Sequence, residues 1–142
     1  MAATMHLDVV SAEDSMFAGT VRELIAPGTL GDLGIMPGHS QLISNLRPGE
    51  LRYKTEDGSM ASLFVSGGIL EVQPTVVTVL ADTAVRAEDL DEQLAEQARK
   101  KAEDALQGKD PADLDYEAIQ AELDAAKAQI EMIHRIGKTL RS

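Results

Sequence analysis

The chain has 142 residues, 44% of them hydrophobic, which is room for one ordinary domain or a small domain with an appendage. Aromatics make up 3%, and Trp and Cys are absent, so the core must be aliphatic; disulfides, thiolate chemistry and Cys-ligated metal are excluded. A net charge of −11 argues against nucleic acid, whose phosphates need a basic face, and against direct docking on anionic lipid.

No apolar run approaches the roughly 18 residues of a spanning helix. The N-terminus lacks an apolar h-region and has few positive charges, so no signal or transit peptide is expected. Residues 1–86 read as β. Leu7 and Val9 alternate with His6 and Asp8, the period of a half-buried strand, and this leaves His6 facing outward. Next comes Gly31-Asp32-Leu33-Gly34-Ile35-Met36-Pro37-Gly38-His39, where glycines and a proline crowd a few apolar residues. Glycine supplies φ > 0 and proline fixes the chain and removes a donor, so the segment predicts a sharply bent loop between strands.

Leu51 and Tyr53 then alternate with Arg52 and Lys54, and Asp57-Gly58 between two strand-like runs is a hairpin-turn signal. Ser66-Gly67-Gly68-Ile69-Leu70-Glu71-Val72-Gln73-Pro74 carries a second glycine pair. It leads into Thr75–Ala81, β-branched and nearly all apolar, as for a strand covered on both faces. Short strands broken by Pro27-Gly28, Pro37-Gly38, Pro48-Gly49, Asp57-Gly58 and Gly67-Gly68 predict an antiparallel β-sandwich or barrel.

Residues 87–142 change character: Gly and Pro almost vanish and Ala rises. Leu90, Leu94, Ala98, Ala102 and Ala105 follow helical spacing, and Gln107-Gly108-Lys109-Asp110-Pro111 is a helix stop. Asp113 or Asp115 is placed to cap a second helix. Its seam runs through Tyr116, Ile119, Leu123, Ala126, Ile130, Ile133, Gly137 and Leu140, in steps of three and four. The expected architecture is therefore α+β, a sandwich over 1–86 and an antiparallel two-helix hairpin over 87–142. Alanines bury little apolar area, so the hairpin is expected to be marginal, and weakly held elements are the ones that move. Six acids and no base lie between Asp110 and Asp124, whereas Lys127, Arg135, Lys138 and Arg141 face only Glu131 from Ala125 onward. Matching of the helix dipole is one reading of this division. A basic tip that meets an acidic partner is the other.

A site for chemistry is not visible. After Gly38 stand His39 and Ser40, where a phosphate-cradling loop needs Lys and then Ser or Thr, and no Gly-x-Ser-x-Gly elbow occurs. His6, His39 and His134 lack metal-ligand spacing; His134 reads as a helix-flank residue, while His39 either satisfies turn carbonyls or contacts a partner. No carboxylate is paired with a base in a recognisable arrangement. An interaction protein is favoured over an enzyme.

Met5-His6-Leu7-Asp8-Val9-Val10-Ser11-Ala12-Glu13, the Gly31–His39 segment and the Ser66–Asp82 segment, in this order, resemble the epsilon subunit of the bacterial F-type proton-translocating ATP synthase, and the resemblance runs to the chain end. It implies a non-catalytic subunit at the foot of the central stalk. Such a subunit binds the gamma subunit and the c-subunit ring, couples proton flow to rotation and inhibits ATP hydrolysis. It implies a peripheral place on the cytoplasmic side of the inner membrane, held there through the complex, with no nucleic-acid partner. The resemblance assigns Gly31, Asp32, Leu33, Gly34 and Ile35, with Asp32 at the tip, to a loop facing the c ring. It assigns Ser11, His39 and Ser44 to the gamma-facing side. It also implies that the hairpin extends toward the alpha and beta subunits of the catalytic head, with Lys127, Arg135, Lys138 and Arg141 as the beta-facing basic tip. Some family members bind ATP through Leu/Ile-Asp-x-x-Arg-Ala. Here Leu90-Asp91-Glu92-Gln93-Leu94-Ala95 has Leu94 in place of the arginine, so no cofactor is expected. The alternative is a stand-alone β-sandwich adaptor that homodimerises through its helices; a ligand-binding β domain with a lid has only the glycine loop and His39 in its favour.

Overall fold

A computed structural model describes residues 3–141, with side chains as far as Gly137. The chain divides into two compact units, Met1–Ala87 and Glu88–Ser142. The first is a nine-stranded sheet of β1 (Met5–Ser11), β2 (Ser15–Gly28), β3 (Gly31–Ile35), β4 (Leu42–Leu46), β5 (Gly49–Thr55), β6 (Met60–Val65), β7 (Gly68–Val72), β8 (Val76–Ala81) and β9 (Ala84–Arg86). The strands run in the order β1-β8-β7-β4-β2-β5-β6-β9, and β1 returns to pair with β2. The long β2 makes this closure possible. Its first half pairs with β1, its second half with β3, and β5 lies along Val21–Ile25. The sheet therefore folds on itself and buries one face of nearly every strand.

That interior is aliphatic, as the composition demands. Leu7, Val9, Val21, Leu24, Ile35, Leu51, Leu70, Val72, Val77 and Val79 form its centre, and no polar or charged residue is buried among the described residues. Each such side chain contributes about 1.5–3 kcal/mol relative to exposure. The rings of Phe17 and Tyr53 meet at 4.5 Å between centroids, tilted by 40°, beside this core. The Asp57-Gly58 signal corresponds to the β5–β6 turn, with Gly58 at φ +90.

Three strand-level expectations are corrected. Gly31–Ile35 is not a loop but β3, hydrogen-bonded to β2 from Gly28↔Gly31 to Leu24↔Ile35. The turn is Thr29-Leu30, and the bend expected further on falls at Met36–Gln41 instead. Thr75–Ala81 is covered on one face only: Val77, Val79 and Ala81 are buried while Leu80 stays 49% exposed. The sheet is also not wholly antiparallel, since β1 and β8 run parallel. These two strands come from distant parts of the chain, so no hairpin fixes their relative direction.

A single 3-10 turn at Ala87–Asp89 spans the boundary along the chain, and the second unit then holds α1 (Glu92–Leu106) and α2 (Tyr116–Arg141). Asp91 caps α1, its carboxylate accepting from the N–H of Gln93 at 2.9 Å and of Leu94 at 3.2 Å. Gly108, at φ +75, follows the end of α1 as expected. In the connection Lys109 meets Asp115 at 2.9 Å, and this contact raises the Lys109 pKa and lowers that of Asp115. Asp115 accepts the Ile119 N–H with its backbone carbonyl, but its carboxylate is engaged by Lys109; Asp113 uses its carboxylate on the Asp110 N–H. The two helices pack on each other as an antiparallel hairpin, with the His134 Nε2 of α2 2.7 Å from Glu92 Oε1 at the start of α1.

The α1 seam is rotated from the expected one. Ala95 and Ala102 are buried, whereas Leu94, Ala98 and Ala105 are exposed. Alanines on several sides of α1 leave its phase undetermined by pattern. On α2, Leu123 and Ala126 are buried and Ile119, Ile130 and Ile133 half-buried, in line with the expected seam, but the fully buried Met132 was not foreseen. Leu140 lies outside the described side chains.

Candidate interaction surfaces

The first surface is the free end of the β2–β3 hairpin. Leu30 at the turn is fully exposed, and Gly31, Asp32 and Gly34 are exposed beside it. Leu33 packs against the core from its edge and Ile35 is inside it, 1% exposed, so the five predicted loop residues do not share one surface. Asp32 is on the second rung from the turn, not at its tip. Its carboxylate accepts from Arg47 Nη2 at 2.7 Å, and Arg47 Nη1 donates to the Gly28 carbonyl at 2.5 Å. Arg47 was absent from the sequence reading; a lone cation before Pro48 gave no periodic signal.

The second surface is the outward face of β1, β8, β7 and β4. Val10 stands opposite Leu80 and Leu80 opposite Ile69, while Ile43 lies diagonal to Ile69 across the β4–β7 pair. Ile43 is 74% exposed, Leu80 49% and Ile69 43%. Val10, Leu80 and Ile69 are direct cross-strand neighbours and Ile43 is one diagonal step further, so the four lie along one aliphatic stripe of this face. A shallow cleft along it is lined by Val10, Ser11, Gly68, Ile69, Leu80 and Asp82. Apolar residues in both phases of Thr75–Ala81 were the signal for this stripe, misread as burial on two sides.

The structure brings only one of the three predicted gamma-facing residues to that stripe. Ser11 lines the cleft, its hydroxyl 3.3 Å from the Asp14 backbone. Ser44 shares the inward phase of β4 with Leu42 and Leu46 and donates to the Asn45 carbonyl at 3.1 Å. His39 is in the β3–β4 loop with Nδ1 2.8 Å from the Ser40 carbonyl oxygen. That loop is tied to Pro74 by the Gly38 N–H, at the opposite end of the β7–β8 pair from Ser11. His6 is exposed, as its alternation implied, and meets Asp8 at 2.9 Å.

The third surface lies on the hairpin. Lys127 is exposed and lines a groove with Glu96, Arg99, Ile130, Glu131 and His134. Arg99 meets Glu96 at 2.8 Å and Glu103 at 2.9 Å, contacts that raise its pKa. Arg135 is exposed on α2, and the side chains of Lys138 and Arg141 lie outside the described residues. Leu94, where a nucleotide motif would carry a guanidinium, is 63% exposed. Among the described residues no group of His, Asp or Glu is arranged to hold a metal ion, and no helix is long and apolar enough to cross a membrane.

Residues 4–87 match the family model "ATP synthase, Delta/Epsilon chain, beta-sandwich domain", and residues 88–134 match "ATP synthase, Delta/Epsilon chain, long alpha-helix domain". The chain is 53% identical over 142 residues to the ATP synthase epsilon chain of Thioalkalivibrio sulfidiphilus (strain HL-EbGR7), covering 99% of this chain and 100% of the relative. It is 54% identical over 140 residues to the ATP synthase epsilon chain of Nitrosococcus oceani, covering 99% of each. Among solved structures, a chain of the Euglena gracilis mitochondrial ATP synthase OSCP/F1/c-ring assembly is similar at TM-score 0.81 and 22% identity, over 93% of this chain and 82% of that one. A chain of the Tetrahymena thermophila mitochondrial ATP synthase central stalk/c-ring is similar at TM-score 0.54 and 16% identity, over 94% and 96%. At these identities the likeness to the solved chains is one of fold.

Proposed function

Since the chain belongs to the ATP synthase delta/epsilon family, we propose that it is a non-catalytic stalk subunit that couples proton translocation to rotary ATP synthesis and restrains ATP hydrolysis with a movable helical arm. The single observation that carries this reading is the match along essentially the whole chain to bacterial epsilon chains, at an identity above half. In this proposal the β unit is the grip. Its stripe of Val10, Ile43, Ile69 and Leu80 is aliphatic surface that a solitary chain would leave in water, and contiguous exposed apolar patches mark interfaces. The gamma subunit covers that stripe, and the Leu30 end of the β2–β3 hairpin meets the c ring. Membrane association is then indirect, on the cytoplasmic side of the bacterial inner membrane.

The helical unit is the regulator. Its buried α1 residues are two alanines, which contribute little per side chain, so the closed hairpin is a low-stability element. Opening carries Lys127, Arg135, Lys138 and Arg141 toward acidic surface on the beta subunit. Differential contact with that surface is what gives one position of the arm its effect on hydrolysis. Nucleotide binding to the hairpin is not part of the proposal, because Leu94 supplies no charge for a phosphate.

The test is reconstitution of an ATP synthase stripped of its epsilon subunit, using the full chain and a chain ending at Ala87. Both are expected to co-purify with gamma, and only the full chain is expected to suppress ATP hydrolysis. Failure of the shortened chain to hold gamma would refute this division of labour.

A further inference from the structure

We infer that Arg47 is a positioning residue: its guanidinium clasps the β2–β3 hairpin and occupies the Asp32 carboxylate, so that the hairpin end meets the rotor ring as rigid neutral surface and not through a free anion. This inference rests on the proposal that the hairpin end faces the c ring.

The geometry carries it. Pro27 pairs with Asp32 and Gly28 with Gly31, the last two rungs before the Thr29-Leu30 turn. Arg47 touches both strands at these rungs. Its Nη1 donates to the Gly28 carbonyl at 2.5 Å, its Nη2 donates to Asp32 Oδ1 at 2.7 Å, and its backbone N–H donates to the Pro27 carbonyl at 2.9 Å. Pro27 turns its carbonyl to Arg47 and not to β3, so the Pro27–Asp32 rung adds no ladder bond between the two strands. Beyond the rungs little holds the end. Leu30 is fully exposed, a side chain at Gly31 would meet nothing within 4 Å, and Thr29 is tied to Asn45 by a 3.2 Å bond. A planar fork bonds a carbonyl and a carboxylate at once, which a lysine ammonium does less well. Arg47 and Asp32 are 43% and 54% exposed, so the pair adds little to global stability, yet it governs a segment with few other fastenings.

The sign of one substitution separates this account from docking by charge. Arg47→Ala loosens the end and frees the Asp32 carboxylate together. If the carboxylate docked on cationic ring loops, coupling would hold or improve; if rigidity matters, coupling falls. In the full chain, amide hydrogen exchange over residues 28–33 is expected to speed up about fivefold in Arg47→Ala, the effect of losing an exposed pair on a local opening, with no change over Val77–Ala81. In inverted membrane vesicles carrying the reconstituted complex, protons pumped per ATP hydrolysed are expected to fall about twofold or more, with Arg47→Lys between Ala and the parent. Unchanged exchange at the hairpin end overturns the clasp. Faster exchange with full pumping overturns its role in coupling. Failure of the unaltered chain to restore pumping overturns the parent reading itself and leaves the exchange result standing.

Discussion

Gly68→Ala is the sharpest structural test of how the gripping unit is built. Gly68 sits where β7 meets both β4 and β8, opposite Leu46 and Ala81, next to Ile69 of the aliphatic stripe. Its φ is +143, and a Cβ there would fall 2.1 Å from the Leu80 carbonyl oxygen and 2.9 Å from the Ala81 Cα. Those are backbone atoms, so no side chain can swing away, and β7 and β8 would have to part by about 1 Å to reach ordinary contact. Forcing the backbone conformation costs about 1–3 kcal/mol and the overpacking a further 1–3. The sum, about 2–6 kcal/mol, is a large part of a typical total stability of about 5–15. At about 4–8 °C per kcal/mol for a domain of this size, the melting temperature should drop by at least roughly 8 °C. Scanning calorimetry of the full chain checks this, with two controls. Gly31 has φ +138 but open space, so Gly31→Ala should show the conformational cost alone; Gly34 has neither strain nor a neighbour within 4 Å, so Gly34→Ala should be near neutral. If Gly68→Ala melts within about 2 °C of Gly34→Ala, where even 1 kcal/mol would show, the reasoning about β7–β8 packing is refuted.

Leu80→Asp, at a half-exposed position, should leave the melting temperature nearly unchanged but weaken co-purification with gamma by about 30-fold or more, the effect of losing a central interface residue. The Asp57 carboxyl is pulled from its ordinary 3.8 to about 2 by the Thr55 hydroxyl and then the Ser59 N–H. A depressed carboxyl stabilises above its unfolded value and loses that contribution as pH falls through the folded one. Melts between pH 5 and pH 2 should therefore show Asp57→Asn converging on the parent below about pH 4, with a constant gap above. Glu92→Gln weakens the 2.7 Å contact with His134, and amide exchange in the latter part of α2 should rise about two- to fivefold, with the β unit unaffected.

The architecture was legible wherever one local signal dominated. Asp57-Gly58 predicted its turn, Gly108 its helix stop, and the three-four spacing of isoleucine and leucine the seam of α2. Legibility failed where the deciding partner was distant. Gly31–Ile35 carries bend residues but becomes a strand because the long β2 offers it a pairing edge. The parallel β1–β8 pair joins segments that no local rule connects. On α1 the alanines carried too little contrast to fix the buried side, and the Asp91 cap was read only as part of a nucleotide motif. Of the residues assigned to partner surfaces, Asp32 proved to be held by Arg47, and Ser44 to face inward on β4, relations set by strand phase and tertiary contact that no motif records.

The central claim is that the helical unit acts by leaving its closed state. Because the chain has no cysteine, Glu92→Cys and His134→Cys place a unique thiol pair at two positions whose native side chains meet at 2.7 Å. A short bis-maleimide across them locks the hairpin shut. The account predicts that the locked subunit holds gamma and supports proton pumping, yet leaves ATP hydrolysis as fast as does the chain ending at Ala87, while the unlinked double variant still inhibits. Full inhibition by the locked subunit would contradict it.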